Sequence, residues 1–232
     1  VGTEIKVLSE IDGNLCTPLI TLERPDAYPI VLIGTIHFAA PEYYQIVWKH
    51  LKSLSDMGYT NFFEGTAKAT PSEEEKESWH IDEMKELTAA FTFMAQELKV
   101  VFQSENILPE RSLPRAVCAE ISPNDADELV KRDGYISELR GSAEELACTI
   151  LESLLELKSM TNPLVGERNV FVAKMTQQYA VLNSPVVVSY GAAHISGIVE
   201  ILSTAGWKVR TEERIPALRV GAIRQFLKKY KK

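Results

Sequence analysis

Cysteine is scarce and scattered in this chain: Cys16, Cys118 and Cys148 show no CxxC spacing, which argues against a disulfide framework and a thiolate zinc site. Cys118, within Arg115-Ala116-Val117-Cys118-Ala119, reads as a small core residue of a strand rather than a nucleophile. A basic surplus is missing as well. Lys and Arg total 25 against 32 Asp and Glu, a formal charge of -7, so no basic surplus exists to replace phosphate counterions, which argues against a general nucleic-acid binder. The basic end Lys228-Lys229-Tyr230-Lys231-Lys232 reads as a solvated helix end. Long apolar runs are absent too. Ile30 to Ile33 and Pro185 to Val188 are strand-length, far short of the roughly 20 residues a membrane-spanning helix needs. The opening Val1-Gly2-Thr3-Glu4-Ile5-Lys6 lacks the apolar centre of a signal peptide, so any targeting segment is either unused or outside this chain, and the compartment stays open. No low-complexity linker divides the 232 residues, of which 45% are hydrophobic, and a single compact unit is expected.

What is present is an alternation of strand-like and helix-like segments. Ile30 to His37 is an apolar β-branched run, and Pro41-Glu42 opens a helix with Tyr44, Val47, Trp48, Leu51 and Leu54 at helical spacing. Gly58 stops that helix, and Tyr59 to Gly65 reads as the next strand, completing a βαβ unit. Thr70-Pro71-Ser72-Glu73 has capping-box form before a helix with Met84, Leu87, Phe91, Met94 and Leu98 as its inner stripe. The acidic run Glu73-Glu74-Glu75 fits its solvated first turn. Leu113 to Ser122 is expected as a strand, Ser122-Pro123-Asn124-Asp125 as a turn into a further helix, and Ser142-Ala143-Glu144-Glu145 as a second capping box. The helices between about 70 and 160 look like an insertion or covering element. A helix from Asn162 to Leu182 leads into the apolar run Val186 to Gly191, then come a helix through Leu202, a stop at Gly206 and a closing strand, Trp207 to Glu212. The fold class is α/β, with a central parallel or mixed sheet flanked by helices.

Two segments carry the chemical signal. Gly34-Thr35-Ile36-His37 and Gly191-Ala192-Ala193-His194 each follow a buried-strand pattern and present a histidine after Gly-x-x, and open α/β sheets keep their ligands outside such strand ends. His37 and His194 are suited to metal ligation or proton transfer. Glu64, at the end of the neighbouring strand before Gly65, is a candidate ligand or general base, or a charge marking the surface. Glu120 resembles it more weakly and fits an edge charge or cap. Arg168, near a helix start where cations are unusual, either pairs with an acid such as Glu167 or binds an anionic group. Tyr190 has the chemistry to donate to an oxyanion or ligate iron, and also fits a buried strand tyrosine.

With Gly34-Thr35-Ile36-His37, Phe63-Glu64-Gly65, Glu167-Arg168-Asn169 and Gly191-Ala192-Ala193-His194-Ile195-Ser196-Gly197-Ile198 in this order, the chain resembles the TraB/PrgY/TIKI superfamily from about Pro29 to Glu212. GumN-like proteins, ChaN-like haem proteins and erythromycin esterases are among its relatives. The resemblance implies an α/β fold with both histidines and the glutamate around one site, and, in the TIKI branch, a protease dependent on manganese or cobalt. His37 and His194 fall on the motif histidines, Glu64 on the glutamate and Arg168 on the arginine. Glu120 stands where several relatives have aspartate, and Phe171-Val172 replaces the usual Tyr-Met pair.

The leading expectation is therefore a metal-dependent, peptidase-like hydrolase acting on a peptide or small molecule. His37, Glu64 and His194 would hold a divalent ion or its water, and Arg168 would stabilise developing negative charge. On ligand type alone manganese, cobalt, zinc and iron suit such a set about equally. One alternative is a metal-free esterase in which a histidine and Glu64 activate water. Another is a binding protein that holds haem through Tyr190 or a histidine, or an interaction module that has kept the fold alone.

Overall fold

Two strands buried along nearly their whole length sit side by side at the centre: β3 (Ile30–Thr35) and β8 (Val186–Gly191). They pair in parallel from Ile30 opposite Val186 to Thr35 opposite Gly191. Continuous apolar, β-branched sequence suits a strand covered on both faces, where no solvent side calls for polar alternation. The structure is a computed structural model that describes residues 5–64, 81–104, 106–119, 141–156 and 163–231, without the side chains of 81–87 and 163–165. Thr70-Pro71-Ser72-Glu73, the acidic run within and after it, Gly65, Glu120 and the turn at Ser122 lie outside the described residues.

The remaining elements, in chain order, are β1 (Ser9–Ile11), β2 (Asn14–Glu23), β4 (Phe38–Ala39), α1 (Pro41–Asp56), β5 (Thr60–Phe63), α2 (Ile81–Leu98), β6 (Val101–Phe102), a 3-10 turn (Glu110–Ser112) and β7 (Ala116–Cys118). After them come α3 (Ala143–Leu155), α4 (Pro163–Leu182), then β8, α5 (Ala192–Thr204), β9 (Lys208–Arg219) and α6 (Val220–Tyr230). Strands β3, β8, β5 and β7 run parallel in that spatial order. β2 extends the sheet antiparallel to β3, and β9 pairs along the other edge of β2. The sheet is mixed and the protein is α/β.

Helix α1 begins with Pro41 at an early helical position and Glu42 in its first turn. It buries Tyr43, Tyr44, Val47 and Leu51 against Val31, Ile33 and Val187 on one face of the sheet. Helices α4 and α5 cover the opposite face with Val172, Ala173, Ile195, Ile198 and Leu202 against Leu32, Phe62, Val186 and Val188. The chain thus leaves β3 for one face and β8 for the other. A crevice opens between neighbouring strands where their connections part in this way.

A third core joins α2, α3 and α6 to the start of β2 and the end of β9 through Met94, Leu151, Phe226, Leu15 and Leu218. The capping box expected at Ser142 is present, with Glu145 N–H donating to Ser142 Oγ and Ser142 N–H to Glu145 Oε2. Lys228 and Lys229 of the basic end lie in the last turn of an amphipathic helix that buries Val220, Ile223 and Phe226.

Three expectations are corrected. The strand expected over Leu113 to Ser122 begins only at Ala116, because Pro114 interrupts it and Arg115 adopts φ 59°, a left-handed kink. Cys118 is half-buried rather than a core residue. The closing strand runs on to Arg219 instead of stopping at Glu212, since β2 offers it a long antiparallel partner.

Candidate functional site

The parallel strands end together on one rim, and the sequence places a polar residue just past each end. Beyond β5 stands Glu64, half-buried, whose backbone N–H donates to Ser189 O of β8 at 3.1 Å. Beyond β8, α5 starts at once, so His194 lies in its first turn and is buried. Beyond β3, His37 is exposed at the mouth. Its turn is held from both sides. Tyr43 of α1 donates to Gly34 O at 3.0 Å and Tyr44 to Ile36 O at 2.8 Å, while Gln103 N–H donates to His37 O at 2.8 Å. Burial raises both tyrosine pKa values well beyond the normal phenol range, so both stay protonated donors.

Arg168 reaches the rim from the second turn of α4. Its Nη2 donates to Glu64 Oε1 at 2.6 Å and Nη1 lies 3.3 Å from His194 Nε2. Of the two roles expected for Arg168, pairing with an acid is the one seen, and the acid is Glu64. The second carboxylate oxygen, Glu64 Oε2, accepts from Gly191 N–H at 2.6 Å. A Cβ on Gly191 would stand 3.0 Å from that oxygen, so the glycine of the second histidine motif makes room for the carboxylate of the neighbouring strand.

His194 is oriented by Asn169, the residue after Arg168 on α4. Asn169 Oδ1 lies 2.7 Å from His194 Nδ1 and can only accept, which puts the imidazole proton on Nδ1 and leaves Nε2 as an acceptor toward Arg168. A Cβ on Gly197 would approach Asn169 Nδ2 to 2.2 Å. The second glycine of the motif is therefore needed one turn into α5 to admit the residue that aims the histidine.

Charge in this cluster is balanced unevenly. Burial pushes the Glu64 carboxyl upward, but Arg168 first, then His194, His37 and the Gly191 N–H, outweigh it and hold the carboxyl below its usual range. Glu64 is thus the ionised group of the site. His37 lies close enough to influence it.

Tyr190 lies underneath. It is fully buried, its hydroxyl donates to Ala119 O at 2.8 Å, and its ring centroid is 5.3 Å from the Arg168 guanidinium carbon and 5.0 Å from the His194 ring. This is the buried strand tyrosine, a platform for the cation. With its hydroxyl committed to a backbone carbonyl, it does not fit the part of an axial haem ligand in this arrangement.

The residues do not fit a bound divalent ion either. The Glu64 oxygens face a guanidinium and a backbone N–H, and His194 Nε2 faces the same guanidinium. Among the described residues no three His, Cys, Asp or Glu side chains converge to hold a metal. What the arrangement can do is present a fixed cation beside an ionised carboxylate and an exposed imidazole.

Residues outside the expected set complete the cluster. Asn169 was visible in Glu167-Arg168-Asn169 but carried no signal of its own. Glu110, in the 3-10 turn, is buried, and burial pushes its carboxyl up to about 7, with the Glu64 charge adding to this and Ser189 and Gln103 pulling the other way. Nothing in Leu108-Pro109-Glu110-Arg111 marks it in sequence.

No helix among the described residues is long and apolar enough to cross a membrane. Comparison of the chain with family models, with curated proteins and with solved structures yields no match.

Proposed function

We propose that this protein is a hydrolase that attacks an acyl carbonyl with water, using its own side chains at the strand rim. The observation that carries the reading is the chain of contacts from Gly191 through Glu64, Arg168 and His194 to Asn169, assembled across the ends of β5 and β8. Such a network holds a cation rigidly where negative charge develops, and preorganised charge of this kind is often the largest contribution to acyl-transfer catalysis. The order of the motif residues, which resembles that of the TraB/PrgY/TIKI superfamily, supports the same class.

In this reading His37, exposed at the mouth, takes a proton from water as the water oxygen bonds to the carbonyl carbon. Arg168 receives the negative charge that forms on the carbonyl oxygen. The bond to the leaving group then breaks, and the proton held by His37 passes to that group. Glu64 and His194 position Arg168, and Asn169 positions His194. The metal-free scheme is preferred to the metal-dependent peptidase because the oxygen and nitrogen donors already face hydrogen-bond donors of the chain itself.

A panel of short peptides and simple esters tests it, with chelator and with added manganese or cobalt. The expected result is turnover that survives exhaustive chelation and falls about 10²-fold or more in His37→Ala and in Arg168→Ala. Turnover that vanishes with chelator and returns with manganese or cobalt would instead establish the metal-dependent form. A Soret band on adding haem, lost in His194→Ala, together with no hydrolysis of either substrate type, would make this a haem-binding protein.

A further inference from the structure

On the α1 face of the sheet, just behind the rim, several buried polar atoms lack a hydrogen bond of normal geometry among the described residues. They are Glu110 Oε1, Ser189 Oγ, Gln103 Oε1 and both side-chain polar atoms of Asn61. Native interiors leave few such atoms, and each asks for a physical account. The register explains why they gather: Phe63 pairs with Ser189 and Asn61 with Val187, so Asn61, Phe63 and Ser189 project from the same face of adjacent strands. Glu110 is 6% exposed and lies near Ser189 and Gln103, and Gln103 is in turn bonded through its backbone to His37.

The burial of Glu110 decides its charge. Its Oε1 is enclosed without a hydrogen-bond donor in normal geometry among the described residues, and an ionised carboxylate there would bear its charge uncompensated. A proton on Glu110 removes that cost and makes one carboxyl oxygen a donor. It also removes a second buried negative charge from the neighbourhood of Glu64, where two ionised carboxylates would repel. We propose that Glu110 is held as a neutral carboxylic acid behind the rim, so that the site carries one ionised carboxyl, Glu64, and one protonated carboxyl.

The groups facing Glu110 agree with this. Tyr43 approaches from α1 with a phenol that stays neutral, Ser189 comes from β8, and Gln103 from the segment after β6. Glu64 is the nearby anion, and Arg111, next in the chain, stacks its guanidinium 5.7 Å from the centre of the Phe63 ring. Glu110 is a proton-holding residue rather than a catalytic one, since nothing places it against a substrate. Its protonation state does not rest on the hydrolase reading.

The test follows the proton directly, with the full chain labelled with carbon-13 at glutamate side chains and titrated by NMR. The signal absent from Glu110→Gln should titrate with a midpoint near 7 rather than 4.5, and the infrared carbonyl band of a protonated carboxylic acid at neutral pH should vanish in the same variant. In Glu64→Gln the Glu110 midpoint should fall, because the neighbouring anion is gone. If Glu64→Gln does not fold, Ser189→Ala serves instead, and there the midpoint should rise. A Glu110 midpoint at or below 4.5, or one unmoved by the folded variant, overturns the proposal. None of these readouts needs a substrate, so failure of the hydrolase reading and failure of this inference are separately visible.

Discussion

Asn169 Oδ1 meets His194 Nδ1 at 2.7 Å, and the contact exists because α5 has no side chain at Gly197. A methyl group there would stand 2.2 Å from Asn169 Nδ2 and 3.2 Å from its Cγ, but at an ordinary 3.7 Å from its Cβ. Gly197→Ala is therefore expected to cost about 1–3 kcal/mol, the range for overpacking a filled interior. In an Asn169→Ala background the clash disappears, and the same change should be neutral or stabilising by up to about 1 kcal/mol, the helix-propensity gain of alanine over glycine. Chemical denaturation of the four proteins of this cycle measures the coupling. Additive effects would show that Gly197 is not making room for Asn169.

Arg168 is the hub of the site, bonded to Glu64 at 2.6 Å with side chains 17% and 19% exposed. Arg168→Ala leaves an ionised carboxylate half-buried without its main counter-charge. The expected loss is about 3 kcal/mol, the low end of the range for breaking a buried pair, because both groups keep some solvent. Arg168→Lys should recover little of it, since one ammonium cannot reproduce a planar fork that faces Glu64 with one nitrogen and His194 with the other. Urea melts check both, and a lysine variant as stable as the parent would count against the fork.

Glu64 makes stability depend on pH on the acid side. Its folded-state pKa is held below the ordinary carboxyl value, so the native state binds fewer protons than the unfolded chain in that window. The associated stability is fully present above the unfolded-state value of about 4.3 and is lost as pH falls through the lower folded-state value. Glu64→Gln should be less stable than the parent at neutral pH and converge with it in acid. Parallel curves across the acid range would mean that the carboxylate gains nothing from its partners.

The rim was legible in sequence because it is written in local pattern. Ile30 to Thr35 and Val186 to Gly191 are apolar runs with a glycine near or at their carboxyl ends, and each motif histidine follows its run directly. What could not be read is long-range. Glu64 and Arg168 are 104 residues apart, and which acid the arginine would choose depends on the order of strands in space. Asn169 and Glu110 have roles only through burial against elements distant in the chain. The long strand β2 was hidden by Pro18 within it, which argues against a central strand. Arg115, in a left-handed kink, cut short a run that looked continuous.

The two histidines look alike in sequence and stand in different surroundings, which predicts different consequences of losing them. His37 is exposed at the mouth near Glu64, whereas His194 is buried between Asn169 and Arg168. In the hydrolase reading, His37→Ala removes the base and should lower kcat by about 10²-fold or more with little change in stability. His194→Ala should lower kcat by releasing Arg168 and also destabilise the fold by about 1–3 kcal/mol, because Asn169 loses its buried partner. If both serve one reaction, the double variant should be scarcely slower than the worse single one, as members of one catalytic unit are strongly non-additive. Steady-state rates for the three variants, each with its denaturation curve, decide the matter. Independent, multiplying losses would mean that the imidazoles do not share a site.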